Sequence, residues 1–205
     1  MPTNDYFYTT DPHIATLDGF PIPSSWWSRP YEYAWAILST YPSAIAADMG
    51  SGYVYRPFTD ALSATCQEVY AIDNRKQVTA VKRKRPDKVT TIVADFTTPT
   101  PLAISSLDLI FCISVLEDVG EKIPLALAEF RRLIAPDGLI VLTFDVPIRD
   151  NPIWPGVNLT TFWNDVAAQG LHPVGAPNLT PTSDLLLHEE FGLTCYHAVL
   201  SKKLP

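Results

Sequence analysis

Residues 43–73 read SAIAADMGSGYVYRPFTDALSATCQEVYAID, and this stretch predicts one parallel strand–helix–strand unit. Ser43–Asp48 is short and mostly apolar, as in a strand that is buried on both faces. A turn at Met49–Tyr53 follows, and helical spacing of apolar residues predicts a helix over Arg56–Thr65. A second strand, Glu68–Asp73, ends on an acid. The crossover between two such parallel strands is expected to be right-handed.

The glycines and acids of this unit predict a cofactor site. Gly50 and Gly52 allow a tight turn and a close approach of a ligand, and the following helix offers free N–H groups. An acid such as Asp73, about twenty residues on, suits two ribose hydroxyls. The dinucleotide fingerprint G-x-G-x-x-G requires a third glycine, but Tyr55 stands at that position. A carboxylate at Asp48 would repel a pyrophosphate and favours a cationic ligand without phosphate.

Four motifs in order resemble those of the class I S-adenosylmethionine-dependent methyltransferases, over about residues 43–145. They are AADMGSG at 46–52, VYAIDN at 69–74, TTIVADFTTP at 90–99, and LDLIFCISVLEDVG at 107–120 followed by LIAPDGLIVLTFD at 133–145. The resemblance implies a three-layer Rossmann-like α/β sandwich. Its seven-stranded mixed sheet would be mostly parallel with the last strand antiparallel, and helices would cover both faces. Two departures are Tyr53, where the family often has a small residue, and Asp118, where it often has a histidine.

The resemblance also implies S-adenosylmethionine as the cofactor and a set of contacts to it. Asp73 is expected at the ribose and Asp95 at the adenine amino group. The backbone after the fourth strand usually runs beside the reactive methyl, which suggests Ser114 and Glu117. The full set of expected cofactor-binding residues is Asp48, Met49, Gly50, Ser51, Gly52, Asp73, Asn74, Asp95, Phe96, Ser114 and Glu117.

Length and composition predict a single globular domain in the cytoplasm. The 205 residues would divide into an N-terminal arm and lid helix (1–42), a cofactor-binding core (43–145) and a C-terminal part with substrate-side loop and closing strands (146–205). The net charge of −7 argues against a broad nucleic-acid surface. No apolar run reaches the roughly 18 residues of a membrane span, and the N-terminus has no signal-peptide features.

The walls of the acceptor-binding pocket are expected to come from segments near both ends of the chain. Residues 1–23 read as irregular, and Ser24–Thr40 reads as the first helix, with an apolar face that suits packing on the sheet. The alternative is that this helix closes the pocket. A proline-rich loop, Pro147–Gly156, would overhang the same edge. The candidate substrate-binding residues are Arg29, Tyr31, Arg149 and Trp154.

The remaining elements are predicted from apolar periodicity and turn residues. In chain order they are a helix over Asn74–Lys84, a strand over Val89–Ala94, a strand over Leu107–Ile113, a helix over Glu121–Ala135, a strand over Leu139–Phe144, a helix over Asn158–Gln169, a short strand over His172–Val174 and a last strand over Leu193–Ser201. The basic run Lys82–Arg85 lies at the end of the predicted Asn74–Lys84 helix; a solvated face is the ordinary interpretation, and a phosphate or nucleic-acid patch is the alternative.

The motifs name no catalytic residue, because methyl transfer mainly requires positioning and desolvation of the acceptor. Glu117, Asp118, Asp145 and Asp150 qualify by place as a general base, and no residues have metal-ligand spacing. The chain lacks the motifs of DNA-base methylases, which leaves a small molecule, a sugar or a lipid-like acceptor. Two other hypotheses stay open: a non-catalytic protein of the same fold that binds S-adenosylmethionine or a protein partner, and a nucleotide-dependent dehydrogenase, which the absent third glycine disfavours.

Overall fold

The computed structural model describes residues 4–52, 57–149 and 156–203, and a mixed β-sheet lies at its centre. The strands of these ranges are β1 Asp5–Tyr6, β2 Thr16–Leu17, β3 Phe20–Pro21, β4 Ile45–Met49, β5 Glu68–Asp73, β6 Val89–Val93, β7 Leu107–Ile113, β8 Ile134–Pro147, β9 His172–Pro173, β10 Leu187–His188 and β11 Leu193–Ser201. The α-helices are α1 Arg29–Ala36, α2 Pro57–Thr65, α3 Leu116–Val119, α4 Ile123–Leu133 and α5 Leu159–Ala168. Short 3-10 helices span Ile37–Ser39, Lys76–Ala80 and Gly120–Lys122.

The sheet has the mixed topology that the motifs predict. Its order is β6-β5-β4-β7-β8-β11, with the first five strands parallel and β11 antiparallel to β8. β1, β9 and β10 all pair with the outer edge of β11, so nine segments occupy seven strand positions. The prediction of a seven-stranded, mostly parallel sheet is therefore confirmed.

Three short segments build the outermost strand position. β10 pairs with the start of β11, β1 with its middle and β9 with its end, and all three pairings are antiparallel. Asn4 joins two of the pieces: its Nδ2 donates to the carbonyl oxygens of Val174 and Gly175, and its Oδ1 accepts from the N–H of Val199. The N-terminal stretch is thus part of the sheet. The prediction that it is irregular is wrong for β1 and for the β2–β3 hairpin, since pairing with distant residues decides both.

Alternation along β7 separates the two cores. Ile110 and Cys112 belong to the cluster beneath α4 and α5, whereas Leu109, Phe111 and Ile113 belong to the cluster beneath α1 and α2. A strand buried on both faces places successive side chains in opposite layers. The resulting order of helix layer, sheet and helix layer is the predicted three-layer sandwich.

The second predicted crossover helix, Asn74–Lys84, is absent from the described structure. Only the 3-10 helix Lys76–Ala80 forms there, because Val78 is the single buried residue of that segment and a longer helix would have no apolar face to pack. Lys84 and Arg85 instead pair with Asp18, next to the β2–β3 hairpin. Among the described residues, no helix is both long and apolar enough to cross a membrane.

Candidate functional site

A pocket of about 670 Å³ opens at the carboxyl ends of β4, β5, β6 and β7, where ligands of open α/β sheets bind. Eight of the eleven predicted cofactor residues line this pocket, which we call the first pocket. They are Gly50, Ser51, Gly52, Asp73, Asn74, Asp95, Phe96 and Ser114. The sequence motifs therefore converge on one concave site, as their order along the chain predicts.

The turn after β4 depends on its glycines. Gly50 and Gly52 have φ of +80° and +68°, which L-residues rarely adopt. A Cβ on Gly50 would lie 2.6 Å from Cγ2 of Val115. The turn therefore packs against the loop after β7 only because residue 50 has no side chain. The N–H groups of Gly50 and Ser51 both donate to the carbonyl of Ile72, which fixes the turn against β5.

Asp73 ends β5 at the floor of the first pocket. Its Oδ2 accepts from the N–H of Gly52 at 3.0 Å, and its Oδ1 accepts from the N–H of Arg75 at 2.9 Å. Each carboxylate oxygen can accept a second bond. The carboxylate is therefore held rigidly and still has capacity for two hydroxyl donors.

Asp95 follows β6 and is held in a similar way. Its Oδ1 accepts from both the N–H and the hydroxyl of Thr97, at 2.9 and 2.8 Å. These two bonds lower the pKa of Asp95 below its usual value, so it is a carboxylate at neutral pH. Phe96 is buried, with its ring 5.4 Å from that of Phe130.

Asp48 and Met49 lie behind the turn and do not line the first pocket. The Asp48 carboxylate is buried and accepts from the Thr59 hydroxyl at 2.6 Å, which ties β4 to α2. Burial raises the pKa of Asp48 to about 6, against the opposing effect of that bond. The Met49 side chain is fully buried in the core.

A second pocket of about 190 Å³ adjoins the first, and the two share Trp26, Arg29, Ser114 and Asp118. Glu117, the remaining predicted cofactor residue, lines this second pocket together with Asp145. Glu117 Oε2 and Asp145 Oδ1 are buried and have no hydrogen-bond partner within the described ranges. Burial and the charge of Glu32 raise the pKa of Asp145 to about 7, and burial beside Asp145 raises the pKa of Glu117 well above its usual value.

The wall between the pockets is fixed by Glu32, which is fully buried on α1. Its carboxylate accepts from Arg29 Nη1 at 3.1 Å, from the Ser114 hydroxyl at 2.8 Å and from the Thr143 hydroxyl at 2.7 Å. The thiol of Cys195 on β11 also donates to it at 3.5 Å. Burial alone would raise the pKa of Glu32, but Arg29 and the hydroxyl donors hold it below its usual value. One carboxylate thereby joins α1 to three neighbouring strands or strand ends.

Ser114 adopts φ +46°, a left-handed conformation that is uncommon for a residue with a side chain. Its hydroxyl bonds Glu32, its N–H bonds the carbonyl of Thr143 at 2.9 Å, and its carbonyl accepts from Arg29 Nη2 at 3.2 Å. Such strain persists when surrounding contacts over-determine the backbone, and it concentrates at functional sites.

Comparison with known proteins concerns the stretch that holds the glycine turn, Asp73 and Asp95 of the first pocket. A family model described as a methyltransferase domain matches residues 47–142, which hold all four motifs apart from their outermost residues. Residues 47–142, just under half of the chain, are therefore similar to a methyltransferase domain. S-adenosylmethionine is the cofactor of such a domain, and the predicted enzyme class, an S-adenosylmethionine-dependent methyltransferase, is confirmed. A search of curated protein sequences gives no match.

Solved structures share the fold of this methyltransferase domain at low sequence identity. A TehB-like S-adenosylmethionine-dependent methyltransferase from Corynebacterium glutamicum has a TM-score of 0.63 at 17% identity, over 84% of this chain and 87% of the other. The geranyl diphosphate C-methyltransferase of Streptomyces coelicolor has a TM-score of 0.68 at 11% identity, over 96% and 91%. The [4+2]-cyclase SpnF has a TM-score of 0.71 at 11% identity, over 100% and 89%.

The predicted substrate residues of the methyltransferase end up in different places. Arg29 lines both pockets. Tyr31 lines neither, and its ring lies 4.8 Å from that of His13. Arg149 also lines neither and donates to the carbonyl of Glu190 at 3.2 Å. Trp154 lies outside the described residues.

The sequence did not predict that Glu32 is a buried acceptor for Arg29, Ser114 and Thr143. It also did not predict that Glu117 and Asp145 line the same pocket. The stretch RPYE at 29–32 places Arg29 and Glu32 three apart, the spacing at which a helix brings side chains together. That spacing was a signal for the ion pair. It carried no information on Ser114, Thr143 or Cys195, which are distant in sequence.

Proposed function

We propose that this methyltransferase transfers the methyl group of S-adenosylmethionine, bound in the first pocket, to a small-molecule acceptor bound in the second. The observation that carries the proposal is that the two pockets meet at Arg29 and Ser114. Methyl transfer needs donor and acceptor side by side with water excluded, and adjoining pockets with a rigid shared wall supply that arrangement.

The first pocket fits the cofactor in shape and charge. The backbone at Gly50 forms a cradle that a side chain would fill, and the buried hydroxyl of Ser51 has no partner among the described residues. Asp73 would hold the ribose hydroxyls and Asp95 the adenine amino group, as in the family. Arg29, whose side chain is 22% exposed, would hold the cofactor's carboxylate. The bound cofactor supplies an electrophilic methyl group and a thioether leaving group.

The second pocket supports a small acceptor. Its volume of about 190 Å³ lies below the roughly 300–1,000 Å³ typical of drug-sized ligands. Geranyl diphosphate, bound by one of the structural neighbours, is likewise a small molecule. Two residues of the basic run, Lys84 and Arg85, are paired with Asp18, which reduces the positive charge that the run presents and supports a small molecule over a nucleic acid.

In this proposal, the side chains of the wall between the two pockets position the cofactor and the acceptor and take no part in the bond changes. Glu32 holds Arg29 and Ser114 in place, and Ser114 keeps the backbone between the pockets in its strained form. Asp118 also lines the second pocket, but Glu117 and Asp145 are the bases that we favour, because each has a buried carboxylate oxygen that is unpartnered among the described residues. A cyclase among the structural neighbours shows that this fold does not by itself fix the reaction, so the proposal rests on the pockets.

Calorimetric titration with S-adenosylmethionine, S-adenosylhomocysteine and NAD tests the first half of the proposal. Binding of the first two without the third is expected, and binding of NAD alone would contradict it. Formation of S-adenosylhomocysteine on incubation with a panel of small acceptors tests the second half. Tight cofactor binding without transfer to any acceptor would favour the non-catalytic alternative.

A further inference from the structure

The second pocket contains two buried carboxyl groups that lack hydrogen-bond donors. Asp145 is 8% exposed, and its Oδ1 is unpartnered in the part of the chain that the structure describes. Glu117 is half-buried, and its Oε2 is a buried atom that is likewise unpartnered there. Buried acceptors without a donor are rare in folded proteins because they lose the hydrogen bonds that water would give. Both residues line the second pocket, so a ligand bound there can supply the missing donors.

The other charged groups at this pocket do not fill that need. Arg29 directs its guanidinium to Glu32 and to the Ser114 carbonyl. Glu32 is itself satisfied by Arg29, Ser114 and Thr143, so the Arg29–Glu32 pair adds no net charge. Asp118 is exposed and adds another negative charge to the rim. The pocket therefore holds three carboxyl groups and, among the described residues, no positive charge that is not already paired, which favours a ligand that donates hydrogen bonds and carries a positive charge.

We propose that the second pocket binds a primary or secondary amine as the methyl acceptor, with Glu117 and Asp145 as its hydrogen-bond partners. This inference rests on the proposed function. An ammonium group offers donors and no acceptor, which matches two unpartnered oxygens, whereas an alcohol has one donor for two acceptors. Trp27 also lines the pocket, and an indole ring stabilises a neighbouring cation, whereas the ring of Trp26 already lies 5.6 Å from the Arg29 guanidinium.

The chemistry balances with the residues present. The bound ammonium group first passes one proton to the carboxylate of Asp145 or Glu117, which frees the nitrogen lone pair. A nitrogen–carbon bond then forms as the carbon–sulfur bond of the methyl donor breaks, and the electron pair of that bond remains on sulfur. The products are a methylated ammonium ion and S-adenosylhomocysteine, and the proton on the carboxyl group leaves to solvent. The raised pKa values of Asp145 and Glu117 suit such a transfer near neutral pH.

The test compares amines with alcohols of the same shape on protein saturated with S-adenosylhomocysteine. Three matched pairs serve as probes: benzylamine with benzyl alcohol, 2-phenylethylamine with 2-phenylethanol, and hexylamine with hexanol. Binding is followed at pH 8 by tryptophan fluorescence and calorimetry. At least one amine should bind roughly tenfold more tightly than its alcohol, the value of one charge-assisted hydrogen bond. In a second assay the protein is supplied with S-adenosylmethionine, and the same amine should then be methylated with formation of S-adenosylhomocysteine.

Two variants assign the preference to the carboxyl groups. Asp145→Asn and Glu117→Gln should each reduce the preference for the amine to about threefold or less, with the affinity for S-adenosylhomocysteine unchanged. Glu121→Gln removes an exposed carboxylate four residues from Glu117 and should leave the preference intact. Circular dichroism checks each fold, and Glu117→Gln carries the test if Asp145→Asn does not fold.

Each outcome separates this inference from the proposed function. Failure of the wild type to bind S-adenosylhomocysteine would overturn the proposed function and this inference with it. Normal cofactor binding with equal affinity for every amine and its alcohol would overturn the amine site alone. A preference for amines that survives in both folded variants would overturn the assignment to Glu117 and Asp145.

Discussion

Substituting glutamine for Glu32 removes one buried charge and keeps the size of the side chain. The wild-type carboxylate holds Arg29, Ser114 and Thr143 at 2.7–3.1 Å. Breaking a buried ion pair by removing one partner typically costs about 3–5 kcal/mol, because the other charge stays without a counter-charge. The Arg29 side chain is 22% exposed and keeps part of its hydration, so we expect the lower end of that range. Glu32→Gln should therefore lower the free energy of unfolding by about 3 kcal/mol.

Urea denaturation at pH 7, followed by circular dichroism, measures this loss. Glu121→Gln is the matched control, because Glu121 is an exposed carboxylate and surface substitutions usually change stability by less than about 0.5 kcal/mol. A loss for Glu32→Gln below about 1 kcal/mol, or one equal to that of the control, would refute the reasoning.

The same carboxylate predicts a pH dependence of stability. The pKa of Glu32 in the folded protein lies below its usual value of 4.5, so the unfolded chain binds the proton more readily. The stabilisation is present above pH 4.5 and is lost as the pH falls through the lower pKa of the folded state. Wild type should lose more stability than Glu32→Gln between pH 5 and the acid transition, and parallel curves would contradict the assignment.

Three further predictions concern the pockets. Asp73→Ala should abolish or strongly weaken binding of S-adenosylmethionine in calorimetry while circular dichroism shows an intact fold; unchanged affinity would exclude the ribose contact. Gly50→Val should block cofactor binding, since a Cβ there meets Val115 at 2.6 Å and φ is +80°, and full binding would show that the turn is not the cofactor cradle. Asp145 has a pKa of about 7 when folded, so the folded state binds more protons and stability falls as the pH rises from about 4 to 7. Asp145→Asn should flatten that fall in urea denaturation at pH 5 and 8, and an unchanged slope would assign it to another group.

Local patterns in the sequence predict most of the sheet and the first pocket. β5, β7 and β11 have the bounds predicted from their sequences, because strands buried on two faces are mostly apolar over their length. The glycine turn is visible because its backbone requires residues without a side chain. Asp73 and Asp95 follow strands at fixed positions in the motifs, so the order of motifs alone brings them to one edge.

Contacts between distant residues decide what the sequence does not reveal. Three short segments share the outermost strand position, and the sequence predicts only the one at His172–Val174. β1 and β10 are two residues long and have no periodicity of their own, so pairing with β11 decides them. Asp48 has the charge for a cationic ligand, but Thr59 from α2 takes its carboxylate instead. Asn74–Lys84 has the polarity of a surface helix yet lacks the apolar face that would stabilise one.

Ser114 lies between the two pockets and couples the geometry of one to that of the other. It lies at the end of the central strand β7, lines both pockets and adopts a backbone conformation that costs of order 1–3 kcal/mol for a residue with a side chain. Glu32, Arg29 and Thr143 hold it there from two different elements. The N-terminal segment that carries Arg29 and Glu32 therefore supports the reacting geometry, although it lies outside the four motifs. Loss of the Glu32 charge should accordingly loosen Arg29 and Ser114, which separate the methyl donor from the acceptor. Glu32→Gln should therefore reduce the rate of methyl transfer by a larger factor than it reduces the affinity for the cofactor.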